Sequence, residues 1–234
     1  MTVTLTLRSA PACYDRNDHR EEDSMKPSGR NPADSLVGRS NRRFIFDCYR
    51  FLSEHSERVA YMAKLDAEAN GGEIHCAAGC SHCCKQIVNI STYEAMVIAT
   101  YLTEDRSAAE WFALAHPVWK KKVLSLPPTK SSLFPGVYAS ANIPCPFCAA
   151  GKCLIYPVRP LFCSQYFSST PPDGSGFCKM TASLKAVCDE MNQEAGWWFK
   201  ETAAKYEVPQ PEFGILPEMV GESLRVVDRV LSQE

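Results

Sequence analysis

Residues 75–84 read HCAAGCSHCC, and residues 144–163 read PCPFCAAGKCLIYPVRPLFC. In the first stretch Cys76, Cys80, Cys83 and Cys84 fall within nine residues, with Gly79 beside one of them. That composition suits a tight loop converging sulfurs on a metal. A Cys-x-x-Cys step lets two thiolates of one turn face the same ion, while backbone N–H groups in the loop bond the sulfurs. Adjacent Cys83 and Cys84 diverge, so one of them either ligates a different metal atom or lies in the packing behind the site. In the second stretch prolines set backbone angles between Cys145, Cys148, Cys153 and Cys163. Gly151-Lys152 reads as the bend that delivers Cys153. Four thiolates on a divalent ion leave a charge of about −2, which Lys85, Lys152 and Arg159 are placed to offset.

Around these stretches the chain has the bulk to fold without staples. It has 234 residues, 45% of them hydrophobic and 10% aromatic, which suits one or two domains with a real core and excludes a wholly disordered chain. Twelve residues are cysteine, ten of them from Cys76 to Cys188. The first residues, MTVTLTLRSAPAC, lack the apolar run of a secretory signal, and the same lack weakens Cys13 as a lipoprotein site. The longest apolar run, at 95–102, is too short to span a bilayer. A soluble, cytoplasmic protein without a membrane partner is therefore expected. In that compartment clustered thiols bind metal or do redox chemistry in preference to forming disulfides. A net charge of −2 argues against nucleic acid as a partner. Lys120-Lys121-Lys122 and the acidic C-terminal residues read as solvated helix faces.

The periodicity predicts a mainly α-helical fold. Residues 1–40 are polar and aperiodic and read as a disordered tail, leaving 41–234 as a single domain. Helices are expected over 42–70, 92–103, 108–125, 181–205 and 217–231. Gly71-Gly72 ends the first of these. Ser91 with Glu94, and Ser107 with Glu110, match capping boxes. Pro117 is expected to kink or split the third helix, and Pro217 suits a first turn. No alternation is long enough to propose a sheet. Residues 126–172 hold nine of the sixteen prolines, so a long helix does not fit there. Metal ligation is the expected tie for so long a loop. The turn signal Pro171-Pro172-Asp173-Gly174 closes it.

The ordered combination of CAAGCSHCC, a capped helix opening STYEA, and CPFCAAGKCLIYPVRPLFC resembles the YkgJ-type CxxCxxCC family across roughly residues 76–166. The most specific part is Cys-x-Ile-Tyr-x-x-Arg-Pro-x-x-Cys at 153–163. That family is described as zinc- or iron-chelating and includes the flagellin lysine N-methylases. The resemblance implies a ligand set of Cys76, Cys80, Cys83, Cys84, Cys145, Cys153 and Cys163. Two departures stand out. Cys148 occupies a position where the family commonly has leucine, which adds a candidate ligand. Ser164 follows the last cysteine where the family usually has arginine, which leaves less positive charge near the site.

The remaining thiols read as structural. Cys48 sits on an apolar helix face, Cys188 suits helix packing, Cys178 stays open as a ligand, and Cys13 belongs to the tail. His75 and His82 adjoin the cysteines, where contact from behind the ligands or plain surface fits them better than ligation. Tyr156 and Arg159 read as framework: a ring on the knuckle and a guanidinium near the sulfurs. Cys76-x3-Cys80-x2-Cys83 has the radical SAM spacing, but helical flanks without βα alternation oppose that reading. No P-loop and no GxGxxG are present. The expected architecture is thus helices packed around a loop-built, cysteine-ligated metal core. All-thiolate ligation suits zinc or an iron–sulfur cluster. The adjacent Cys83-Cys84 pair favours iron–sulfur, for instance 4Fe–4S. Two further readings stand beside that one: a SAM-dependent protein-lysine N-methylase-like enzyme carrying the cluster, and a zinc-stapled interaction scaffold.

Overall fold

Stretches with apolar residues at helical spacing become the helices of the computed structural model, which describes residues 39–76, 80–127, 134–169 and 180–231. Cys13, Gly79, the 171–174 turn and Cys178 lie outside the described residues. So does the tail expected over 1–40, except for Arg39 and Ser40, which begin the first helix. The described residues belong to one unit, Asn31–Glu234. They hold seven α-helices: α1 (Arg39–Ala69), α2 (Thr92–Glu104), α3 (Arg106–Leu124), α4 (Phe134–Ser140), α5 (Leu161–Ser164), α6 (Ala182–Lys205) and α7 (Leu216–Leu231). None of the described helices is long and apolar enough to cross a membrane.

Local chemistry explains most of the boundaries. Gly71 takes φ +69° after α1. The Gly72 N–H reaches Ala67 O at 2.8 Å and the Gly71 N–H reaches Glu68 O at 3.1 Å, so the last carbonyls of α1 are satisfied by a Schellman close. Ser91 and Glu94 form the expected capping box on α2. The second expected box does not form. Asp105 caps α3 instead, its carboxylate accepting from the Ala108 N–H at 3.0 Å. Glu110 turns to Arg106 at 2.8 Å. Asp105 lies directly after α2, so a shorter link is closed by a stronger cap. Pro117 neither splits nor ends α3. Stacking of His116 on Phe112 at 4.8 Å spans the site, and Trp119 continues the buried face.

Two short ladders also correct the expectation of no sheet. Strands β1 (Asn89–Ser91) and β4 (Phe213–Ile215) pair antiparallel, Ile90 opposite Gly214. Strands β2 (Cys148–Ala149) and β3 (Lys152–Cys153) pair as a hairpin, Cys148 opposite Cys153. Two or three residues are too few to leave an alternating pattern.

Helix α1 packs on α6 and α2, and α2 packs on α7. The largest core joins Phe44, Cys48 and Leu52 of α1 to the buried face of α2 and to Val220 of α7. It also takes in Phe147, Ile155 and Val158 from the proline-rich stretch. Phe147 stacks on Phe112 with ring centroids 4.4 Å apart and planes 2° apart. A second cluster holds Phe167 against Val59, Leu184 and Cys188, and a third holds Ile143 against Trp119 and Tyr138. Within the described part of 126–172, the chain's own apolar anchors therefore do the tying expected of a metal. The anchoring residues alternate with the cysteines, so burying one set turns the other towards a common space.

Candidate metal centre

Each cysteine segment is positioned by backbone hydrogen bonds to another. A 3₁₀ turn at Cys83–Lys85 brings the Gln86 N–H to Cys83 O at 3.2 Å. The Cys145 N–H donates to Cys84 O at 2.6 Å, which joins the two cysteine stretches directly. At the other end the His75 N–H donates to Ser168 O at 2.8 Å, and the Ser168 N–H returns to the Cys76 sulfur at 3.1 Å. The hairpin turns on Ala150 and Gly151, at φ +48° and +79°. Two consecutive positive φ values make the turn type that matches strand twist, and glycine takes its second position without strain.

The segment carrying Cys163 is held by Glu94. Its Oε2 accepts from the Ser91 N–H at 2.8 Å and the Ser91 hydroxyl at 2.7 Å, while Oε1 accepts from the Leu161 N–H at 3.0 Å. One buried carboxyl thus caps α2 and the start of α5. Burial pushes its pKa up, against these hydrogen bonds, which pull it down.

Seven thiols face one cavity of about 820 Å³: Cys76, Cys80, Cys83, Cys84, Cys145, Cys153 and Cys163. These are the seven that the resemblance implied. Lys152, Arg159, Trp119 and Tyr138 line the same cavity. Cys148 lies beside this space and lines a smaller groove of about 280 Å³ between α3 and residues 143–148, which it shares with Cys145. It still touches the cluster, since the Cys84 thiol shares its hydrogen with the sulfurs of Cys83 and Cys148. Seven of the eight expected cysteines thus line one cavity, and Cys148 lies beside it. Cys48 and Cys188 are buried in the helical cores as expected, away from the cavity. His75 and His82 do not line the cavity; His82 Nδ1 is buried without a hydrogen-bond partner.

Electrostatically the cavity sets burial against hydrogen bonds and positive charge at the sulfurs. Burial pushes the thiols of Cys76, Cys145 and Cys163 up, and that of Cys153 to about 11, because a lone thiolate there would be poorly solvated. Opposing this, backbone N–H groups point at sulfur. Phe147 serves Cys145, Ile155 serves Cys153, Gly151 serves Cys148 and Ser168 serves Cys76. The Arg159 guanidinium favours the thiolates of Cys76, Cys83, Cys153 and Cys163. It stands 4.3 Å over the Tyr156 ring, and its Nε donates to Ser56 Oγ at 2.8 Å. Among the described residues no ion pair ties it to a carboxylate. Ser164, the serine that leaves less positive charge beside Cys163, is buried, and its hydroxyl donates to Leu161 O at 2.8 Å.

The donor chemistry suits a thiophilic metal: many thiols, hydrogen-bonded sulfurs and a fixed cation. Among the described residues no three side chains of the ligating types already converge closely enough to hold an ion. Three contributors were not legible in the sequence: the reach of Glu94 to Leu161, the Ser56 support of Arg159 and the Ser168 bond to Cys76. Each depends on a contact between distant segments and leaves no local pattern.

Residues 75–195 match a family model, CxxCxxCC, described as a "putative zinc- or iron-chelating domain". No curated protein and no solved structure matches the chain.

Proposed function

Since the chain belongs to the CxxCxxCC family of zinc- or iron-chelating domains, we propose that it is a cytoplasmic protein whose cavity holds an iron–sulfur cluster. The observation that carries this reading is the set of seven thiols lining one cavity of about 820 Å³. A tetrahedral zinc, with Zn–S near 2.3 Å, draws four sulfurs to within about 4 Å of one another. A cluster of several atoms instead takes sulfurs set around a larger space, and a cavity of about 820 Å³ offers one. Ligands come from that pool, with Cys148 adjoining it. Arg159 offsets their charge, and the backbone N–H groups of Phe147, Ile155 and Ser168 bond their sulfurs. Such a cluster supplies one-electron transfer or Lewis acidity.

Anaerobic purification followed by iron, sulfide and zinc analysis tests the reading. Iron with matching acid-labile sulfide and broad visible absorbance is expected. A colourless protein holding only zinc would overturn it in favour of the zinc-stapled scaffold.

The cavity volume also favours a second reading. It lies within the range of small-molecule pockets, about 300–1,000 Å³, which leaves room for a cosubstrate beside the metal. A SAM-dependent protein-lysine N-methylase-like activity fits this. Calorimetry with SAM on the metal-loaded protein is the test: saturable heat supports it, and none removes it.

A further inference from the structure

The β2–β3 hairpin sets two thiols face to face. Cys148 and Cys153 are direct partners in its antiparallel register. In the next rung outward the Leu154 N–H donates to Phe147 O at 2.9 Å. Hydrogen-bonded and open rungs alternate in an antiparallel pair, so the Cys148–Cys153 rung is an open one. There the Cα atoms stand about 4.5 Å apart and the side chains share a face. A disulfide needs Cα atoms about 4.4–6.8 Å apart with side chains turned together. This rung meets that requirement. The positive φ values of Ala150 and Gly151 hold the register.

The two thiols also have different surroundings. Cys153 faces the thiol-lined cavity. Cys148 opens on the groove between α3 and residues 143–148, beside Trp111, Leu114 and Val118. Leu114 and Val118 are 75% and 56% exposed, so the groove meets solvent. Both thiols are half-buried, and the groove gives an oxidant from outside a route to Cys148. We propose that Cys148 and Cys153 are a dithiol pair that a hydroperoxide oxidises reversibly to a cross-strand disulfide.

The Cys148 sulfur, as thiolate, attacks the peroxide O–O bond and becomes a sulfenic acid, and the leaving oxygen takes a proton to depart as water. The Cys153 thiolate then attacks that sulfur, the S–S bond forms, and the hydroxyl leaves as a second water. Two thiols are oxidised and one hydrogen peroxide is reduced to two waters. A thiol reductant reverses the step. Where the metal reading holds, the disulfide withdraws Cys153 from the cavity, so oxidation releases metal. That consequence rests on the proposed function, whereas the pairing itself rests on the hairpin alone.

The test treats full-length, metal-loaded protein with one equivalent of hydrogen peroxide. It then maps disulfides by mass spectrometry after alkylation and follows released metal with a chromogenic chelator. The expected result is a Cys148–Cys153 peptide pair in most chains, removed by dithiothreitol, and its disappearance in Cys148→Ser. Pairing of Cys148 with Cys84 or Cys145, or both hairpin thiols left reduced, would overturn the proposal in wild-type protein, where no variant has to fold. A Cys148–Cys153 disulfide that forms with no metal released would uphold the pair and overturn the ligand role of Cys153 instead.

Discussion

Arg159 shows how one side chain couples the helical core to the thiols. Its Nε is held by Ser56 of α1, its plane lies over Tyr156, and its charge acts on four cysteines. Charge-assisted contacts contribute about 1.5–3 kcal/mol. Arg159→Met should therefore weaken metal retention about tenfold or more in chelator competition, with helix content unchanged; retention equal to wild type would remove its electrostatic role. His55 supplies a prediction independent of any metal. It is 5% exposed, stacks on Phe51 and has no partner for Nε2. Burial, helped by nearby Arg58, lowers its pKa to about 4. The unfolded chain, with histidine near 6.5, then binds the proton more tightly, so stability is full above pH 6.5 and is lost as pH falls towards 4. From pH 7 to pH 5 the loss attributable to His55 is about 2 kcal/mol. Urea unfolding at both pH values should show His55→Phe losing that much less than wild type.

Among the elements, the junction of α2 with α5 concentrates most structure in one group. Glu94 was legible as a capping residue from Ser-x-x-Glu alone, because that signal is local. Its second oxygen, which holds the Leu161 N–H, was not legible, since 67 residues separate the partners. Losing a cap costs about 1 kcal/mol, and orphaning a buried N–H costs about 1–3 more. Glu94→Ala should thus lose about 2–4 kcal/mol. Amide exchange should rise at the start of α5 as well as at the start of α2; a rise confined to α2 would contradict the link. The hairpin makes the same point through packing. Phe147 lies between Cys145 and Cys148 and stacks on Phe112. Phe147→Ala should cost about 3–5 kcal/mol and displace both thiols, seen as lower metal content alongside a lower urea midpoint. Pro117 and Ser107 misled for a related reason. Their local preferences were overridden by the buried face of α3 and by the stronger cap at Asp105.

Across the whole molecule, the long helices follow from periodicity, because each buries a wide apolar stripe that repeats every turn. The short elements of 134–169 are held by single anchors, Phe147, Ile155, Val158 and Phe167, interleaved with cysteines. Such a pattern has no period, so the sequence alone shows only a proline-rich loop there. The seven cavity cysteines were legible as a set through resemblance. Their arrangement around one space came only with the fold. That arrangement predicts that one cavity draws ligands from both stretches, although more than 60 residues of sequence lie between Cys80 and Cys153. Metal analysis of wild type, Cys80→Ser and Cys153→Ser, purified anaerobically side by side, tests this most directly. Both variants should lose most of the bound metal while keeping their helix content; wild-type metal stoichiometry in both would contradict a shared thiol site.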